Sequence, residues 1–225
     1  MYTQKAPSWR LPKIQARIAP APPHAEVPAQ DRFLICLPDI LIQECPDPGN
    51  WTDPKNFSDD PHDPGGATMC GIIQVEYDAY RKSLGQPTQS VRLITQAEGE
   101  AIYRMNYWEP HCPQLPVGLD LSFFDSSVNM GGEQAIKILQ FALGNIAVDG
   151  IWGPQTAGAV TAIISAADVI NAFTARRKAV YESFSTFKYF GTDWIRRATQ
   201  IGDQSIQMAA PGVAAAVAAA PAAPV

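Results

Sequence analysis

The sequence has little of what several functional classes require. Its 225 residues set 17 Lys and Arg against 22 Asp and Glu, a net charge of -5. No basic stripe stands out, so a nucleic-acid partner is not expected. No apolar run approaches the roughly eighteen residues of a membrane span, so stable membrane insertion is not expected. Residues 1–30 lack the apolar core of a secretory signal, which reads as cytoplasmic synthesis with no export route of the chain's own. Histidine is scarce, with 3 in the chain. His24 falls in a Pro-rich arm and His62 in an acidic loop, and no nucleophile signature surrounds the His111-Cys112 pair. The four cysteines, Cys36, Cys45, Cys70 and Cys112, include no C-x-x-C pair, which leaves structural zinc unsupported. Cys45 and Cys70 flank one loop and could be bridged in an oxidising space. The alternative is four reduced and mostly buried thiols.

What is present is chiefly helix signal. The length suits one domain, or one domain carrying a small helical subdomain. Residues 1–30 read as a flexible Pro-rich arm, and 209–225 as a disordered Ala/Pro tail. Asp31 can cap a helix ending at about Glu44, with Leu34, Leu37, Ile40 and Leu41 on its apolar face. Pro38 should kink that helix. Helix signals resume over 74–84 and stop at Gly85. Thr95 and Glu98 form a capping box for a helix whose apolar positions are Ala97, Ala101, Ile102, Met105 and Trp108, ended by Pro110. Further helices are expected over 121–129 and 133–143. Another starts at Pro154, a first-turn proline, and runs through 164; one more covers 168–187, and a short one starts at Asp193. No strand alternation persists, so the fold class is mainly α.

The most informative stretch is 44–72, ECPDPGNWTDPKNFSDDPHDPGGATMCGI. A lone carboxylate, Glu44, ends an apolar helix, and an acidic Pro- and Gly-rich loop follows. A loop this long inside a compact domain is more often functional than idle. Glycoside cleavage needs an acid that protonates the leaving oxygen and a second group across the sugar ring. At a helix C-terminus Glu44 would meet the negative end of the macrodipole, and partial burial would add to this. Both raise a carboxyl pKa and keep it protonated near neutrality. Asp63-Pro64-Gly65-Gly66-Ala67-Thr68 supplies a second carboxylate, a tight turn and a hydroxyl. The bland reading of Glu44 is an exposed glutamate at a helix end.

These residues, taken in order, resemble the family 108 glycoside hydrolases, muramidases of phages and bacteria that cut peptidoglycan. The match runs through Glu44, Asp63 to Thr68, Gly71-Ile72, Ile102-Tyr103-Arg104 and Tyr107-Trp108. It continues through Val128-Asn129-Met130-Gly131, Leu139-Gln140, Asp149-Gly150, Gly153-Pro154, Arg177, Tyr181 and Trp194 to Arg197. The resemblance implies a lysozyme-like helical domain with a small irregular hairpin region near the active site. It divides the chain into a catalytic region, 31–130, and a helical peptidoglycan-binding-like region, 131–208, packed on it. It makes Glu44 the catalytic acid, with Asp63 and Thr68 as helpers that steady water or the transition state. Tyr103, Tyr107, Trp108 and Asn129 become substrate-binding candidates, although Tyr103 and Trp108 also fit a helix core. No metal or organic cofactor is needed.

Two departures stand out. The family's Gly-Gly-Tyr after the glutamate is Cys45-Pro46-Asp47 here, and the loop to Asp63 is longer. Asp53, Asp59 and Asp60 in that loop are alternative second carboxylates. The expected activity is hydrolysis of the β-1,4 bond between N-acetylmuramic acid and N-acetylglucosamine, with peptidoglycan glycan strands as partner. The setting would be an endolysin made in the bacterial cytoplasm and acting on the wall in the periplasm, with a phage tail or holin-type lysis system around it. The alternative is a virion or tail component that binds wall glycan without cutting it.

Overall fold

The computed structural model describes residues 31–59 and 66–214. Among them are eight α-helices and one small sheet, so the mainly α expectation holds. The described residues form two compact units that part between Glu109 and Pro110. The reason is packing: α4 (Leu119–Met130) lies against α5 (Gly132–Leu143), α7 (Ala166–Glu182) and α8 (Phe187–Ala209), all of them later in the chain.

The first unit, Phe33–Glu109, holds nearly all of α1 (Arg32–Glu44). That helix ends at Glu44 as expected and runs through Pro38. Its buried side is Phe33, Cys36, Leu37, Ile40 and Leu41, whereas Leu34 is exposed, contrary to the sequence reading. A 3-10 turn, Pro54–Asn56, leads into β1 (Phe57–Ser58). β2 (Thr68–Met69) and β3 (Ile72–Ile73) complete an antiparallel sheet in the order β1-β2-β3. Cys70 and Gly71 form the β2–β3 turn, both with positive φ, 44° and 74°.

α2 (Gln74–Ser83) follows at once, and Gly85, φ 68°, lies just beyond its end. α3 (Gln96–Tyr103) starts at the expected capping box. Glu98 N donates to Thr95 Oγ1 at 3.3 Å, and Thr95 N donates to Glu98 Oε2 at 2.9 Å. Glu98 also accepts from Tyr77 Oη and Arg81 Nη1, which ties α3 to α2. One π-helical turn, Arg104–Trp108, continues α3. Ala97 and Met105 are exposed, so the buried face is instead Gly99, Ile102, Tyr103, Tyr107 and Trp108. Trp51 packs where Gly99 has no side chain: a Cβ there would lie 2.1 Å from its ring.

The second unit contains Arg32 and the described residues from Pro110 onward. α6 (Pro154–Thr161) begins at its first-turn proline. The helix expected over 168–187 stops at Glu182. Ser183 N and Phe184 N turn back to the Val180 and Tyr181 carbonyls, and Ser183 Oγ donates to Val180 O at 2.6 Å. Such side-chain competition for backbone acceptors favours a helix end. The helix expected to be short is α8, 23 residues long. In α4 of this unit Asp125 is fully buried between Arg177 Nη2 at 2.6 Å and Arg197 Nη2 at 2.7 Å. Burial alone would push the Asp125 carboxyl up, but the two guanidinium groups outweigh it and hold it below the usual carboxylate range.

Candidate functional site

Glu44 is the last residue of α1 and is half-buried. The next residue closes the helix, Cys45 N donating to Leu41 O at 2.7 Å. Cys45 is then joined by a disulfide to Cys70, in the turn between β2 and β3. Of the two alternatives left open by the sequence, the bridged one holds; Cys36 and Cys112 stay buried thiols. The crosslink brings the hairpin turn to the helix end. A Cβ placed on Gly71 would lie 2.7 Å from Glu44 Oε2 and 2.9 Å from Tyr103 Oη. A carboxylate and a phenol therefore converge on one bare α-carbon, which both its φ of 74° and this crowding reserve for glycine.

Two further features set that geometry. Tyr103 Oη donates to Cys70 O at 2.7 Å, a buried bond from α3 to the turn. Asn56, fully buried, organises the loop after Glu44. Its Nδ2 donates to the Asp47 and Asn50 carbonyls, its Oδ1 accepts from Asp47 N, and its carbonyl accepts from Cys70 N. An irregular loop must find partners for each buried backbone polar group, and one side-chain amide supplies three of them here. Neither the Asn56 hub nor the convergence on Gly71 was read from the sequence. A buried amide in a polar loop leaves no periodic signal.

The other site candidates are placed as follows. Asp63 lies outside the described residues, as does Asp60. Thr68 is buried in β2, and its Oγ1 donates to Gly66 O at 3.2 Å. Asp53 is engaged as a cap, accepting from Lys55 N at 2.8 Å, and Asp59 is exposed. Tyr107 is buried and donates to Glu76 Oε1 at 2.7 Å, its ring 5.9 Å from that of Tyr103. Trp108 is a core residue, 3% exposed and edge-on to Phe33, so its ring offers no open face to a sugar. Asn129 belongs to the second unit, where Tyr181 Oη donates to its Oδ1 at 2.5 Å. Cys112 is fully buried, and His111 stacks on Trp152 at 4.3 Å. Burial lowers the His111 pKa to about 4, leaving its imidazole neutral at ordinary pH.

A cleft of about 600 Å³ also opens in the first unit, lined by Asn50, Trp51, Phe57, Met69, Arg92 and Gln96 among others. It does not include Glu44, Thr68, Tyr103 or Tyr107. The assignment of the acid therefore rests on the carboxylate's surroundings and not on this cleft. Among the described residues no group of three or more His, Cys, Asp or Glu is placed to hold a metal ion. No helix among them is long and apolar enough to cross a membrane.

A half-buried carboxylate at a helix end, clamped against a short hairpin, is an arrangement suited to acid catalysis on a glycosidic oxygen. Comparison with known proteins finds a likeness to the glycoside hydrolases. The glycosyl hydrolase 108 family model matches residues 55–131, from the 3-10 turn through α4. Thr68, Gly71 and Tyr103 fall inside that match, and Glu44 precedes it. Ten chains among the solved structures match. One is SagA of Brucella abortus, 28% identical, with a TM-score of 0.65 over 79% of this chain and 95% of that one. A search of the curated proteins finds no match.

Proposed function

We propose that the protein is a peptidoglycan N-acetylmuramidase, cleaving the β-1,4 bond between N-acetylmuramic acid and N-acetylglucosamine, with Glu44 as general acid. The observation that carries this reading is the Glu44 carboxylate held at the end of α1 against Gly71 and Tyr103. The glycosyl hydrolase match over the adjoining hairpin and helices supports it. In this reading Glu44 delivers its proton to the leaving oxygen as the bond breaks. Thr68 and Asp63 steady the attacking water or the developing positive charge. Tyr103 and Tyr107 act from below, fixing the turn and Glu76, and their rings do not stack on sugar. The place of action is the cell-wall space, as an endolysin released through a membrane lesion; a wall-thinning role during secretion would use the same chemistry.

A second reading has one specific motive. Cys45-Pro46-Asp47 replaces the Gly-Gly-Tyr that follows the glutamate in the resembled family, and this fits a wall-binding virion component that no longer cuts. Release of dye-labelled fragments from purified cell walls separates the two. The wild type should turn over, and Glu44→Gln should lose activity by about 100-fold or more, the range removed with a positioned general acid. Equal and negligible release from both proteins would favour the binding module instead.

A further inference from the structure

We propose that the Cys45–Cys70 disulfide is a redox gate on the active site: it positions the Glu44 carboxylate, so that the enzyme is latent where thiols are kept reduced and becomes competent in an oxidising space. This rests on the reading of Glu44 as the acid. Three observations carry it. Cys45 directly follows Glu44, and Cys70 directly precedes Gly71, whose α-carbon the carboxylate abuts. The carbonyl of Cys70 is also the acceptor for Tyr103 Oη, so both groups beside the carboxylate depend on where this turn sits. Cys70 itself adopts φ 44°, a left-handed conformation that non-glycine residues rarely take and that the surrounding contacts must hold.

The chemistry of the gate is simple. On oxidation the two thiols lose two protons and two electrons, and one S–S bond forms. The acceptor is a disulfide-bearing oxidant, whose own S–S bond is reduced to two thiols. A dithiol reductant reverses the exchange. Opening the bond removes the one covalent tie between the helix end and the turn, yet it does not strip the loop of order. Asn56 still bonds Asp47, Asn50 and Cys70. The reduced protein therefore keeps its fold and loses the alignment of Glu44 with Gly71. A misplacement of about 1 Å is enough to cost two orders of magnitude in rate. A chain made among reduced thiols would thus be harmless until it reached the wall.

The test compares oxidised and phosphine-reduced wild type on solubilised peptidoglycan strands, with thiols counted after denaturation. The oxidised protein should show two thiols and the reduced one four. Reduction should lower kcat at least tenfold with little change in KM. Reoxidation should restore kcat, and Cys45→Ala/Cys70→Ala should match reduced wild type and ignore redox conditions. A four-thiol protein with full kcat would overturn the gate. So would global unfolding on reduction by circular dichroism, since the bond would then be structural only. If the double variant does not fold, the reduction and reoxidation cycle on wild type decides. Glu44→Gln should be inactive in both states; its retention of activity would sink the reading of Glu44 itself and not the gate alone.

Discussion

Among the described residues of the first unit no strand is longer than two residues, and order around Glu44 depends on a disulfide, one buried asparagine and two glycine contacts. In the second, α7 and α8 run 17 and 23 residues side by side. Helices satisfy most of their own backbone polar groups, so the second unit can distribute its stability over many apolar contacts. Irregular backbone cannot, and each of its few ties becomes a point of failure. The exception in the helical unit is Asp125, one carboxylate buried with two guanidinium groups. That exception gives the strongest way to break the comparison. Asp125→Asn keeps the shape but leaves Arg177 and Arg197 buried without their counter-charge. It should cost about 3–5 kcal/mol in urea unfolding. A loss below about 1 kcal/mol would show that the helices carry the unit without it.

The next effect is read through pH. Burial pushes the Asp120 carboxyl up to about 6, against the pull of Arg32 and of the Gly118 and Leu121 N–H groups. The folded state therefore holds this proton more tightly than the unfolded chain, whose carboxyl titrates near 4. The contribution to stability is fully present below that value and is lost as pH rises through about 6. Its size is about 3 kcal/mol, from a shift of roughly two units. Other carboxylates slope the opposite way, so the difference between wild type and Asp120→Asn isolates it. That difference should change between about pH 4 and 6 and stay flat above 7. A constant difference across that range would mean that Asp120 is ionised throughout.

How much of this was legible in the sequence follows the same division. Local chemistry was readable: the end of α1 at Glu44, the Thr95–Glu98 box, the stop at Gly85 and the start at Pro154 each follow from a few adjacent residues. What depends on distant partners was not. Leu34 fits an apolar helix face by spacing as well as Phe33 does, and only tertiary packing chooses between them. The break at Ser183 turns on a hydroxyl reaching its own helix, against a pattern that continues apolar through Phe187. At the site, the order of Glu44, Thr68, Gly71 and Tyr103 gave the resemblance, but their meeting depends on a Cys45–Cys70 bond for which sequence offered two outcomes. Trp108 had the same aromatic character whether it lined a groove or filled a core, and it fills the core.

The smallest effect sharpens the comparison from the side of the first unit. Gly99 lies inside α3, where alanine would normally stabilise a helix by about 1 kcal/mol over glycine. Its bare α-carbon, however, faces the ring of Trp51, and a Cβ would come within 2.1 Å of Cζ3 and 2.4 Å of Cη2. Trp51 is itself only 4% exposed and sits in the loop after Glu44, so it has little room to retreat. Overpacking of this kind costs about 1–3 kcal/mol. The net result of Gly99→Ala should be a loss of up to about 2 kcal/mol, with the near-ultraviolet circular dichroism of the tryptophans altered. Trp51→Val in the same chain should return the helix advantage of alanine, making the two substitutions together less harmful than their sum. If Gly99→Ala instead raises the unfolding midpoint, the first unit has slack where the contact with Trp51 denies it, and its order would not hang on single residues after all.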